Sequence, residues 1–191
     1  RAALKAMNVQ LMNHQIEAVK FAVNNKGIAA FFHEIGVGKT LSALATFSEL
    51  RKINPLLKLL VICPLSLIYG AWTREIEKFT NFLWWDKHGE TGTAKLSDDK
   101  RILNADIYII NFEYLISQKK FNSLMKYLKE NPYWMCVVDE SSKMKNNKAK
   151  TTERILALRD LFKYRIVMSG TPAPNIEWEY WAQMKFLSDD I

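Results

Sequence analysis

Cysteine, proline and glycine are scarce in this sequence, whose 191 residues hold 2 Cys, 5 Pro and 7 Gly. Cys63 and Cys136 both lie inside apolar runs. Two such residues read as buried thiols of a reducing compartment rather than as a disulfide framework or a zinc site. The shortage of glycine and proline excludes a collagen-like repeat or a Pro-rich linker. Long hydrophobic runs are missing as well. The longest, Tyr133 to Val138, falls far short of the roughly 20 residues a membrane-crossing helix needs. No signal peptide is visible. The expectation is an intracellular protein, in cytoplasm or nucleus, with no membrane partner. The chain opens on Arg1 rather than Met, so it is expected to be a portion of a longer polypeptide.

What is present is core material and positive charge. Hydrophobic residues make up 49% and charged residues 25%, enough to bury a core in one domain over 1–191. The net charge of +7, from 27 Lys plus Arg against 20 Asp plus Glu, favours a polyanionic partner, although charge of this size also serves solubility alone.

Short apolar runs alternate with segments of helical period, the pattern of a mostly parallel sheet covered by helices on both faces. Strands are predicted at Ile28 to Phe32, Lys58 to Cys63, Asp106 to Ile110, Trp134 to Val138 and Arg165 to Met168, with a weaker one at Phe82 to Trp85. Their lack of polar alternation is how strands buried on both faces look. Helical stripes fall at Ile16, Val19 and Val23 behind Asn13 as cap, at Leu41 to Leu50, at Trp72, Ile76 and Phe79, at Phe121 to Leu128, and at Trp178 to Phe186. Asp86 to Lys100 reads as a surface loop.

The segment His33-Glu34-Ile35-Gly36-Val37-Gly38-Lys39-Thr40 lies between the first strand and a helix, the context of a phosphate loop. Phosphate needs backbone N–H groups turned inward at a helix start, and Gly36 and Gly38 permit the turn that aims them, with Val37 between. Lys39 would carry an ammonium to the β and γ phosphates, and Thr40 would ligate Mg²⁺. His33 stands where the strict pattern has glycine. Asp139 and Glu140 end a buried strand, where open α/β sheets bind ligands. The first could hold Mg²⁺ and the second activate water, unless the pair merely caps the next helix. Ser169-Gly170-Thr171-Pro172 follows another buried strand and could respond to the γ-phosphate, or be an ordinary strand exit.

Together and in order, these segments resemble the N-terminal RecA-like lobe of superfamily-two helicases, in particular the Swi/Snf-type DNA translocases. The resemblance implies an α/β RecA-like P-loop NTPase fold and an ATP-hydrolysing, Mg²⁺-dependent lobe of a DNA-dependent motor. It further implies that Gln15, within Leu11 to Gln15, reads adenine, and that Ser142, Ser169, Gly170 and Thr171 couple nucleotide state to motion. Pro64, Leu65 and Ser66, followed by Trp72 and Glu75, and then Asn111 and Phe112, match segments that touch the nucleic-acid backbone without reading bases. The implied partners are double-stranded DNA and a second RecA-like lobe of the same polypeptide, which supplies an arginine. By itself the fragment is expected to turn over little or no ATP. Departures from the family pattern are His33, the Asn111-Phe112 pair, and Ser141 and Ser142 in place of the alanine and histidine of a DEAH motif. Lys143, Lys145, Lys148 and Lys150 form a basic run that suits either a solvated loop or a place beside DNA. A restriction-system or RNA-helicase motor lobe, or a nucleotide-regulated inactive binding module, are the alternatives.

Overall fold

Successive side chains of a strand point to opposite faces, so a strand that is apolar at every position needs cover on both sides. Strands of this kind build the sheet in the computed structural model, which describes residues 7–32, 38–86, 105–144, 149–170 and 178–188. They are β1 (Ile28–Phe32), β2 (Lys58–Cys63), β3 (Trp84–Asp86), β4 (Ile107–Asn111), β5 (Trp134–Asp139) and β6 (Tyr164–Ser169). The 6 strands form one sheet in the order β1-β6-β5-β2-β4-β3, and every neighbouring pair is parallel. The mostly parallel sheet anticipated from the sequence is therefore found.

The helices are α1 (Asn13–Asn24), α2 (Lys39–Ile53), α3 (Thr73–Phe79), α4 (Gln118–Glu130), α5 (Lys150–Leu158) and α6 (Trp178–Leu187). A turn at Leu65–Leu67 and a π-helical stretch at Ile68–Trp72 lead from β2 into α3. 3₁₀ turns occupy Phe112–Ile116, Ser141–Met144 and Arg159–Leu161.

Alternation divides the core in two. Leu59, Val61 and Cys63 of β2 and Met135 and Val137 of β5 face Leu44, Phe47, Ile68, Trp72 and Ile76. Leu60, Ile62, Cys136 and Val138 face Leu124, Leu128, Ile155 and Phe186 on the other side. So α1, α2 and α3 cover one face and α4, α5 and α6 the other. Each fully buried aliphatic or aromatic side chain contributes on the order of 1.5–3 kcal/mol, which is what holds both layers to the sheet.

The structure corrects several expectations. Asn13 is the first residue of α1 and Met12 occupies the cap position; the Met12 N–H is satisfied instead by the Gln15 side chain, at 2.9 Å. Asp86 is not in a surface loop: it ends β3 fully buried and accepts a hydrogen bond from the Tyr69 hydroxyl. The weak strand forms two residues later than Phe82, because Phe82 packs against Phe47 in the core, with ring centroids 5.1 Å apart. Lys150 opens α5, a helix not anticipated, whose buried face is Thr152, Arg154, Ile155 and Leu158.

Because the strands run the same way, Phe32, Cys63, Asp86, Asn111, Asp139 and Ser169 all finish at one edge of the sheet. The described residues of the sequence motifs collect along it.

Candidate functional site

Gly38 starts the site. It caps α2 with φ 75°, a left-handed conformation that strains any residue with a Cβ. Its carbonyl accepts the Ser42 N–H at 3.1 Å, the Ser42 hydroxyl at 3.3 Å and the Gln15 side-chain amide at 3.4 Å. A Cβ on Gly38 would come within 2.3 Å of Gln15 Nε2. Gln15 is 3% exposed and reaches from α1 to this turn while its Oε1 holds the Met12 N–H, so it locks the start of α1 to the start of α2. Lys39 and Thr40 form the first turn of α2, where the outward direction of backbone N–H groups and the helix dipole favour an anion. Thr40 is buried and Lys39 half-buried.

Asp139 ends β5 at 4% exposure. Its Oδ2 accepts the Trp72 indole N–H and its Oδ1 the Glu140 N–H, each at 2.9 Å. Burial pushes its carboxyl above the ordinary range; the indole and backbone N–H groups pull it down, Glu140 raises it again, and Lys39 opposes. Lys39 is thus within electrostatic reach of Asp139. Glu140 takes φ 52°, left-handed for a residue with a side chain, and turns the chain from β5 into the Ser141–Met144 turn. Cys63, at the end of the adjacent β2, has its thiol pushed well up, by burial first and then by Asp139. Glu75 projects from α3 toward the same place. Its Oε2 is buried without a hydrogen-bond partner, and its carboxyl is raised by burial, lowered by Arg74, raised by Asp139 and lowered by Lys78.

The donor set fits a hard divalent cation. The Thr40 hydroxyl and the Asp139 carboxylate are oxygen donors, and Glu75, within electrostatic reach of Asp139, adds a buried oxygen without a hydrogen-bond partner. Among the described residues no group of three His, Cys, Asp or Glu could hold a metal by itself.

The structure brings Gln15, Gly38, Lys39 and Thr40 to one end of β1 and α2, and Asp139 and Glu140 to the end of β5, two strands away across β6. Ser169 ends β6 between them, fully buried, and Gly170 follows it. Gly36 and Val37, with His33, and Thr171, Pro172 and Asn175, lie outside the described residues, as do Lys145, Asn146 and Lys148. Ser142 is half-buried, whereas Ser141 is fully buried and donates its hydroxyl to Gln183 of α6 at 2.7 Å.

The residues matched to nucleic-acid contacts follow β2, which pairs with β5 on the side away from β6, and β4, the strand beyond it. Leu65 and Ser66 are exposed at the helical turn after Pro64. Asn111 and Phe112 are not available in the same way. Asn111 is 2% exposed, accepting the Tyr114 N–H at 3.2 Å and donating to Glu113 at 2.5 Å, and Phe112 packs in the core. Backbone groups are what that segment can offer a ligand.

Two contacts escape a reading of the sequence. Trp72 reads as a core residue and as part of the segment that follows Pro64 to Ser66, yet its indole N–H reaches across to Asp139. Gln183 stands three and four residues before Phe186 and Leu187, on the buried side of α6. A polar residue on an apolar stripe was the available signal.

Residues 14–191 match the family described as SNF2-related domain. The chain is 30% identical to the ISWI chromatin-remodeling complex ATPase ISW1 of Saccharomyces cerevisiae, over 97% of this chain and 16% of that protein. It is 27% identical to the ATP-dependent helicase brm of Drosophila melanogaster, over 97% of this chain and 11% of that protein. Among solved structures, the Sulfolobus solfataricus SWI2/SNF2 ATPase core in complex with dsDNA superposes with a TM-score of 0.73 at 29% identity, over 95% of this chain and 36% of that one. A further structure, the Sulfolobus solfataricus SWI2/SNF2 ATPase core domain, gives a TM-score of 0.70 at 30% identity, over 95% of this chain and 35% of that one. The chain thus spans a small part of these relatives, and its fold matches the RecA-like SWI2/SNF2 ATPase core of Sulfolobus solfataricus. By sequence match and by fold, this chain belongs to the SNF2-related domain family.

Proposed function

We propose that this chain is the ATP-binding and ATP-hydrolysing lobe of a DNA-dependent translocase motor. The observation that carries the reading is the gathering, on one edge of a parallel sheet, of the Gly38 to Thr40 helix start and the buried Asp139 with Glu140. In this reading the α2 N-terminus and Lys39 bind the phosphates of ATP, together with Gly36 and Val37, and Gln15 meets the adenine edge. Thr40 and Asp139 hold Mg²⁺, which when bound neutralises developing charge on the phosphates. Glu140 orients the attacking water and accepts its proton. Its left-handed backbone fixes where that carboxylate starts from. The Trp72 and Glu140 N–H groups hold the Asp139 carboxylate in one orientation.

Leu65 and Ser66 present the start of a helical turn to a phosphate backbone, and the exit of β4 at Asn111 and Phe112 adds main-chain groups. Double-stranded DNA is the proposed polymer, as in the solved relative bound to dsDNA. A second RecA-like lobe of the same polypeptide completes the site, and an intracellular location follows from the function. Ser169, Gly170 and Thr171 pass the nucleotide state onward.

The test is a pair of variants in the natural full-length polypeptide. Lys39→Ala is expected to abolish ATP binding. Glu140→Gln is expected to keep ATP affinity and lower duplex-stimulated hydrolysis by about 10²-fold or more. Hydrolysis that survives Glu140→Gln, or that single-stranded RNA stimulates and duplex DNA does not, would remove the reading.

A further inference from the structure

Ser141 and Gln183 are each fully buried and joined by a 2.7 Å hydrogen bond across 42 residues of sequence. The bond lies on the sheet face opposite the Asp139 carboxylate. In β5, Met135 and Val137 point toward α1 to α3, and Asp139 continues that set to meet Trp72. Cys136 and Val138 point the other way, toward α4 to α6. Ser141, after the left-handed turn at Glu140, joins this second face and meets α6, which packs on both β6 and the Ser141–Met144 turn.

An amide inside an apolar layer costs about 1–3 kcal/mol unless it is hydrogen-bonded, so a glutamine beside Ala182, Phe186 and Leu187 is held in place by its partners. The corner between the acid and the serine is fixed as well. Glu140 adopts a conformation rare for a side-chain-bearing residue, and its N–H is tied to Asp139 Oδ1. Strain of this kind persists where the surroundings over-determine it, and it clusters at working sites. A shift of Asp139 or Glu140 therefore turns the peptide that leads directly into Ser141.

We propose that the Ser141–Gln183 hydrogen bond is the positioning link that carries nucleotide state from the acid pair, through the plane of the sheet, to α6. It rests on the nucleotide reading given above. Ser142, where a DEAH motif has its histidine, stays half-buried. Gln183 becomes a positioning residue of the motor, and α6 the first element on the far face to respond.

The test is amide hydrogen exchange of residues 178–188 in the natural full-length protein, with and without a non-hydrolysable ATP analogue. The wild type is expected to show several-fold slower exchange in α6 when the analogue binds. Ser141→Ala with Gln183→Leu removes both polar partners, so it should keep the melting temperature and analogue affinity but lose the α6 response. Ser141→Thr retains the hydroxyl and should retain the response, which keeps the test decisive if the double variant folds poorly. A stable double variant with an unchanged α6 response overturns the link, as does a wild type that binds the analogue with no change in α6. Failure of the wild type to bind any analogue overturns the nucleotide reading itself, and the link with it.

Discussion

Gly38 is the position where backbone conformation and side-chain contact impose the same demand. Its φ of 75° disfavours a Cβ, and the space that a Cβ would fill is taken by Gln15 Nε2. Gly38→Ala is expected to lower stability by about 1–2 kcal/mol through the left-handed penalty alone. It should also push Gln15 off the Gly38 carbonyl, weakening the tie between α1 and α2. Urea unfolding monitors the first effect, and the affinity for an adenine nucleotide the second. An alanine variant with wild-type unfolding would show that the turn relaxes freely. The glycine was legible from the sequence because a phosphate loop requires it. The partner of Gln15 was not, since nothing in Leu11 to Gln15 specifies which carbonyl the amide will meet.

At the scale of elements, the π-helical stretch Ile68–Trp72 is the least legible and among the more consequential. A wide turn moves the apolar positions off the regular helical spacing, so the sequence shows a stripe at Trp72, Ile76 and Phe79 but not its irregular start. π-turns recur at functional sites. Here the stretch swings the Trp72 indole onto Asp139, joining the segment that leaves β2 to the acid that ends β5. Trp72→Phe keeps an aromatic ring and removes the donor. The loss of a hydrogen bond to a charged group is expected to cost about 1.5–3 kcal/mol in unfolding free energy. In combination with Asp139→Asn the two losses should be non-additive in a double-mutant cycle, and strict additivity would show that the bond does not operate in solution. Strands β2, β4, β5 and β6 were legible because burial on both faces leaves an uninterrupted apolar run. α5 was hidden because it opens on Lys150 within a basic run and its apolar core positions, Ile155 and Leu158, are few.

The opposite end of β2 provides a pH-dependent case. Lys58 begins that strand half-buried, its ammonium donating to the Tyr127 hydroxyl at 3.2 Å, which in turn donates to Tyr108 at 2.5 Å. Burial lowers the Lys58 pKa from 10.5, against the attraction of Asp106 and with the help of Arg51. A lowered lysine pKa means the folded state binds this proton less tightly than the unfolded chain does. The charged form therefore costs stability below the folded pKa, and that cost disappears as pH rises from the folded pKa toward 10.5. Lys58→Met, compared with wild type by urea unfolding from neutral to alkaline pH, should show its relative advantage shrinking as pH rises. A difference independent of pH would mean that the ammonium is solvated in the native state.

Across the whole molecule, the strand order separates the two halves of the proposed function. The nucleotide groups follow β1, β6 and β5, and the proposed polymer contacts follow β2 and β4. The sequence lists these motifs interleaved along the chain. Their sorting depends on crossovers that place β2 beside β5 rather than beside β1, which no local pattern announces. A net charge of +7 favours a polyanion at long range, and the exposed helical turn at Leu65 and Ser66 is the place proposed for it to dock. Ser66→Asp is expected to weaken duplex DNA binding several-fold at moderate salt and to leave ATP affinity unchanged, as measured by anisotropy titrations of the full-length protein. Equal DNA affinity for variant and wild type would move the docking place elsewhere.

The same partition has an engineering consequence. Since the residues proposed to handle fuel and those proposed to handle track leave different strands, the β2 and β4 exits could be transplanted from a relative with another polymer preference. The transplanted protein would keep the turnover chemistry of its host and acquire a new substrate to walk on. The Trp72 indole, which spans both halves, would belong to the seam to preserve.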